Sequence, residues 1–192
     1  MAQVYACVHD GLGNFFIGVK NKVAYFFHSN GGKVYPSGTP ITNGPGDPAL
    51  PGGKLEYNDP AIGAAEELLE ETGVQIRDFA PNLKPDEWHK KPDGNEYYGV
   101  YFQVSPEQFK SIVESANSNI KTGVTVAEQI AKGVIKSYAA IHQAFGSCPL
   151  DNELASGLVL NITTDWEKIK TFESKDTTSW YFDILLNLKN SL

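Results

Sequence analysis

Glu66, Glu67, Glu70 and Glu71 crowd one short stretch of the chain, Leu50 to Val74, which reads LPGGKLEYNDPAIGAAEELLEETGV. At 3.6 residues per turn, Glu67, Glu70 and Glu71 stand at i, i+3 and i+4, so a helix would put their carboxylates on a shared face. Ile62, Ala65, Leu68, Leu69 and Thr72 recur at core-facing spacing on the other face. Acids in the second half of a helix meet the negative end of its dipole, at a few tenths of a kcal/mol each, and like-charge pairs at i, i+4 add about 0.2–0.5 kcal/mol. A divalent cation would turn that penalty into a binding site, because hard ions take several oxygen ligands. The alternative for the same residues is a solvated acidic helix face.

The elements that must position these acids have clear signals. Asp59 suits a helix N-cap and Pro60 the first helical position, where a missing N–H costs nothing. Gly73 suits the left-handed residue that ends a helix. Ahead of the helix, Pro51-Gly52-Gly53 allows a tight bend whose backbone can approach a metal or a phosphate closely.

On these residues the chain resembles the Nudix hydrolases, whose signature is Gly-x5-Glu-x7-Arg-Glu-U-x-Glu-Glu-x-Gly-U, with U a bulky aliphatic residue. Glu67-Leu68-Leu69-Glu70-Glu71-Thr72-Gly73-Val74 matches its right half, and Leu50-Pro51-Gly52-Gly53-Lys54-Leu55-Glu56 matches a common lead-in. Two positions depart from the pattern. Glu66 stands where the family has Arg, which normally pairs with a motif carboxylate. The segment between Gly53 and Glu67 is one residue short, so Asp59 or Asn58, depending on the direction of counting, falls at the family's first Glu.

The resemblance implies an α/β fold, a Nudix-like α/β/α sandwich with a mixed sheet. It also implies hydrolysis of a nucleoside diphosphate linked to another moiety, by water attack on a phosphorus with Mg2+ or Mn2+. Metal ligands would be Glu67, Glu70 and Glu71, with the carbonyl of Gly52 or Gly53. The water would be oriented or deprotonated by Glu67, Glu70 or an acid outside the motif, for which Glu153 in CPLDNELASG is the candidate. Gly53 and Lys54 would meet the phosphates. The rival reading is a Nudix-fold binding module or sensor that has lost turnover.

Composition fits a soluble single domain spanning 1–192: of 192 residues, 41% are apolar and 20% charged. The net charge of −7 argues against a nucleic-acid polymer as partner, and Arg77 is the only arginine. A phosphate would therefore be met by lysines, backbone N–H groups or metal. The expected partner is a small phosphorylated molecule. No signal peptide or membrane-length apolar run is evident, and Cys7 and Cys148 make no disulfide framework, so the expected location is cytoplasmic with no membrane association.

Along the chain, strands are expected over 3–9, 14–19, 23–28, 75–79, 96–104 and 157–162. The Pro- and Gly-rich residues 35–51 read as a loop at a pocket rim, and 81–95 as a polar loop carrying Trp88 and His89. Tyr97 or Tyr101, on the aromatic strand, could stack a base or simply pack in the core. Helices are expected over 106–116 and 125–145, the second with Val126, Ile130, Val134, Tyr138, Ile141 and Phe145 on one face. This two-helix insertion, about 105–147, reads equally as a lid, a homodimer surface or scaffolding. A closing helix over 177–189 turns Trp180, Ile184, Leu185 and Leu188 inward. His9, His28, His89 and His142 show no ligand spacing.

Overall fold

The structure is a computed structural model that describes residues 2–29, 31–92 and 94–192. Met1 of the N-terminal stretch and Asp93 of the loop expected over 81–95 lie outside the described residues. The strands are β1 (Ala2–His9), β2 (Asn14–Lys20), β3 (Val23–Phe27), β4 (Lys33–Pro40), β5 (Pro48–Ala49), β6 (Gly52–Lys54), β7 (Asp86–Lys90), β8 (Glu96–Gln103) and β9 (Leu154–Asn161). The helices are α1 (Pro60–Thr72), α2 (Ile76–Phe79), α3 (Pro106–Ala131), α4 (Tyr138–Ala144), α5 (Trp166–Lys170) and α6 (Ser179–Ser191). No helix among the described residues is long and apolar enough to cross a membrane.

The main sheet is mixed. β1 and β8 pair in parallel along their whole length, while β7 adds antiparallel to β8 and β9 antiparallel to β2. β1 and β2 meet only at His9 and Phe15, and then splay apart. The chain from Pro48 to Lys54 fills the fork: β5 pairs with β2, β6 pairs with β1, and Ala6 N–H donates to the Pro51 carbonyl between them at 2.8 Å. The glycine bend is thus held by sheet hydrogen bonds on both sides.

Strand alternation sends Val4, Ala6 and Val8 to one face, against Leu68 of α1 and Phe109, Ile112 and Ile120 of α3. It sends Tyr5 and Cys7 to the other, against Ile169, Tyr181, Ile184 and Leu185. Helices therefore cover both faces of the sheet. Full burial of Leu68 ties α1 to this core by roughly 1.5–3 kcal/mol.

Several sequence expectations are corrected. Residues 75–79 form not a strand but the short helix α2, because Ile76 is buried in the core and the Gln108 side chain donates to the Phe79 carbonyl at 2.6 Å. The loop expected over 81–95 contains β7, an edge strand whose polar residues face water while Trp88 packs on the α6 side. The loop expected over 35–51 begins inside β4, which pairs with β3 as a separate two-stranded sheet.

The expected helices over 106–116 and 125–145 are instead one long helix, α3, and a short α4. Polar residues between the two expected helices act as cross-links. Asn119 donates to the Gly73 carbonyl at 3.1 Å, and the Asn117 side-chain oxygen accepts from Gly157 N–H at 2.9 Å. The helix stops before Gly133, which has φ of 73°, and leaves Val134 68% exposed rather than inward. The first half of α3 packs on the sheet, so it is part of the main core rather than an appended insertion.

Candidate active site

The sequence signals for α1 are met at both ends. The Asp59 carboxylate accepts from Ala61 N–H at 2.8 Å and Ile62 N–H at 3.3 Å, Pro60 opens the helix, and Gly73 ends it at φ of 68°. Asp59 is thereby spent on a helix cap. The helix is rotated from the expected phase. Ala64, Leu68, Glu71 and Thr72 are buried, while Ile62 is 49% exposed.

Glu71 consequently leaves the face it was expected to share with Glu67 and Glu70. It is 3% exposed, and one carboxylate oxygen accepts from Gly52 N–H at 3.0 Å. Its second oxygen, Oε2, has no hydrogen-bond partner among the described residues. Burial pushes its carboxyl well above the usual range, with Glu153 adding to the rise and Lys20 and the Gly52 N–H opposing it.

The bend at Gly52-Gly53 fits under the helix because neither residue has a side chain. A Cβ on Gly52 would lie 2.3 Å from the Val4 carbonyl oxygen, and one on Gly53 would lie 2.7 Å from Glu67 Oε1. The Glu67 carboxylate therefore lies directly over the bend.

Around it opens a cleft of about 680 Å³ whose acids are Glu56, Glu66, Glu67, Glu70, Asp151 and Glu153. Gly52, Gly53 and Lys54 form part of its wall, and Phe27, His28 and Tyr35 from the β3–β4 sheet face them. Glu71 is not part of this lining. Tyr97 and Tyr101 are not either: Tyr97 stacks on Trp180 at 6.0 Å, and the Tyr101 hydroxyl donates to the Ile184 carbonyl at 2.8 Å.

Asp151 was not singled out in the sequence, and His28 was named there only as showing no ligand spacing. The loop 150–153 is stitched beside α1: Asp151 N–H donates to the Glu70 carbonyl at 2.9 Å, and the Asp151 carboxylate accepts from His28 N–H. Asn152 N–H donates to the Phe26 carbonyl, and its side-chain oxygen accepts from Tyr25 N–H. Glu153 is ion-paired to Lys20 at 3.7 Å. An acid two residues before Glu153 was the available signal for Asp151. His28 carried none, because its neighbours come from distant parts of the chain.

Crowding and burial raise these carboxyls together. Burial pushes Glu67 up to about 8, with Glu70, Glu153 and Asp151 adding repulsion. Asp151 rises to about 7, chiefly by burial, against the hydrogen bond from His28. Glu70 is also raised by burial, with His28 opposing. Among the described residues, no three acid, imidazole or thiol groups converge closely enough to form a ready-made metal cluster. The carboxylates instead ring a shared space.

Hard oxygen donors with little opposing charge suit Mg2+ or Mn2+ chemically. Glu67 and Glu70, with a backbone carbonyl of the Gly52-Gly53 bend, are the groups that could hold such an ion, and a phosphate chain would share the cleft. Glu71 supports the bend through Oε1, which accepts from the Gly52 N–H, while its Oε2 is left without a partner among the described residues. Compared with known proteins, the chain matches no protein-family model and no curated protein.

Proposed function

We propose that the protein is a Nudix-type hydrolase, with the Nudix α/β/α sandwich, that cleaves a nucleoside diphosphate linked to another moiety by attack of water on a phosphorus. The observation that carries this reading is the mutual fit of the two halves of the motif, with Glu71 bonded to Gly52 N–H and Glu67 lying over Gly53, at the edge of a cleft lined by acids. A bound Mg2+ or Mn2+ would neutralise charge on the phosphates and ease deprotonation of water. Glu67 and Glu70 would hold that ion, with Glu71 fixing the bend whose carbonyl would complete the set. Asp151, whose carboxyl is raised by burial, would take the proton from the water, or Glu153 beside it in the cleft would. Lys54, exposed at the cleft wall, meets a phosphate.

One observation favours the sensor reading. Glu66 lines the cleft where the family carries Arg, adding charge where the family balances it. Phosphate release from a panel of nucleoside diphosphate derivatives, with and without Mg2+ or Mn2+, separates the two. Metal-dependent release that Glu70→Gln abolishes supports the hydrolase. Tight binding without release, indifferent to that substitution, supports the sensor.

A further inference from the structure

The main sheet has β9 at one edge and β7 at the other, and the chain treats the two differently. A strand edge exposes unpaired N–H and C=O groups, a template for another strand. On β9, side chains take up two of the N–H groups. Gly157 N–H donates to Asn117 at 2.9 Å, and Asn161 N–H donates to the Asp165 carboxylate at 2.8 Å. β7 has no such cover. It pairs with β8 from Asp86 opposite Tyr101 to Lys90 opposite Tyr97, and its backbone bonds to no other element among the described residues. Alternation turns the N–H and C=O of every second β7 residue outward.

Charge on an edge strand ordinarily keeps other strands away. On β7 the order of the charges matters more than their number. The strand reads Asp-Glu-Trp-His-Lys, with acids before the central Trp88 and bases after it. A second copy, turned about a two-fold axis at Trp88, sets Asp86 opposite Lys90, Glu87 opposite His89, and Trp88 opposite Trp88. Opposite charges and paired aromatics directly across a ladder both stabilise it. Neighbouring pairs in an antiparallel ladder are not equivalent, so the smallest slip that keeps the axis is two residues. Either such slip sets Glu87 against Glu87 or His89 against His89, and Asp86 loses Lys90 in both. The strand is therefore complementary to itself in one register.

Its side chains are placed to meet a partner. Asp86, Glu87, His89 and Lys90 are exposed, and Trp88 is half-buried. The His89 ring stacks on Tyr98 at 4.4 Å, which fixes it beside the edge. Lys90 is paired with Asp183 of α6 and would gain a second carboxylate.

We propose that β7 is a homodimer interface, where two copies join antiparallel about a two-fold axis at Trp88 and extend the sheet across both. The proposal does not depend on the hydrolase reading. Five residues a side fall short of a standard interface, so the dimer is a weak one, with a Kd of about 10–100 µM.

Sedimentation of the full chain from about 1 µM to 1 mM should show monomer passing to dimer. Amide hydrogen exchange in β7 should slow over the same range. Glu87→Lys sets the introduced lysine opposite His89, and His89→Glu sets the introduced glutamate opposite Glu87. Each should raise Kd by about tenfold or more, with melting curves confirming that the variants fold. Mixing the two variants restores opposite charges on both sides of the axis, so the mixture should associate within about threefold of the unsubstituted chain. A chain that stays monomeric to about 1 mM overturns the proposal, and its edge charges then serve only to keep other strands away. β7 exchange that does not change with concentration overturns it without any substitution. A dimer indifferent to Glu87→Lys, or variants that associate no better mixed than alone, overturns it as well, because another surface then joins the copies.

Discussion

The acids of the cleft and the acids on the rest of the surface keep opposite company. Away from the cleft, several carboxylates find lysines: Asp47 pairs with Lys175 at 2.9 Å, and Glu167 with Lys170 at 2.7 Å. The Asp47 carboxyl is accordingly held below its usual value by hydrogen bonds from Lys175 and Thr177. Of the cleft acids only Glu153 is paired with a lysine among the described residues, Lys20, and Glu67, Glu70 and Asp151, with Glu71 behind them, are all raised. A folded chain that leaves its acids unpaired where they are most crowded pays in stability for charge that another partner must balance. That difference is what supports the proposed cation and phosphate site in the cleft.

The sharpest way to break the comparison is to neutralise one acid on each side of it. Glu70→Gln should lower metal-dependent phosphate release by about 10²–10⁴-fold, while Glu128→Gln on α3 should leave it unchanged. Metal binding comes next. Mg2+ or Mn2+ at about 100 times its Kd should raise the melting temperature by about 5–10 °C at pH 8. That gain should shrink at pH 5.5, where protons occupy the same carboxylates; an equal gain at both values would count against carboxylate ligands.

Without metal, the two groups of acids should respond to pH with opposite sign. Glu67 and Asp151 have ordinary values of 4.5 and 3.8 and rise to about 8 and about 7 in the folded chain. Their protons favour the folded state, so their contribution is full below about pH 4 and is lost as pH rises through 7 to 8. Asp47 is lowered, so its contribution is present above its ordinary value of 3.8 and is lost as pH falls through its folded value. Melting curves of Glu67→Gln and Asp47→Asn against pH separate the two. Glu67→Gln should melt higher than the unsubstituted chain at pH 8, and a lower melting point there would contradict the burial of an unpaired charge.

Glu71 tests the inner edge of the cleft. Glu71→Ala leaves the Gly52 N–H without its acceptor and should cost about 1–3 kcal/mol by denaturant unfolding. Glu71→Gln keeps an acceptor and should retain activity within a few-fold; a loss as deep as that of Glu70→Gln would make Glu71 a ligand after all. The smallest effect is expected at Lys110 and Glu114, an exposed pair one turn apart on α3. Lys110→Ala should change stability by less than about 0.5 kcal/mol.

Much of the scaffold around the site was legible in the sequence. Asp59, Pro60 and Gly73 marked the ends of α1 because capping depends on residues close in sequence. The strands at 2–9, 14–20 and 96–103 showed because alternation and aromatic content survive in a single chain. The phase of α1 was less legible. Ile62 and Glu71 exchanged their expected faces because the Gly52 N–H offers the Glu71 carboxylate a donor inside, while Ile62 is left 49% exposed. Asn117 and Asn119 fall in the gap between the two expected helices, and only their partners on Gly157 and Gly73 explain why α3 runs through them.

The sequence by itself determined the acidic helix, its caps and the glycine bend before it, since each depends on residues within a few positions of one another. The tertiary structure alone decided that Pro48 to Lys54 wedges into the fork between β1 and β2. It alone turned Glu71 inward and brought Asp151, Glu153 and His28 to the acids of α1. Those decisions rest on long-range pairing and burial, where the partner that satisfies a group lies far away along the chain.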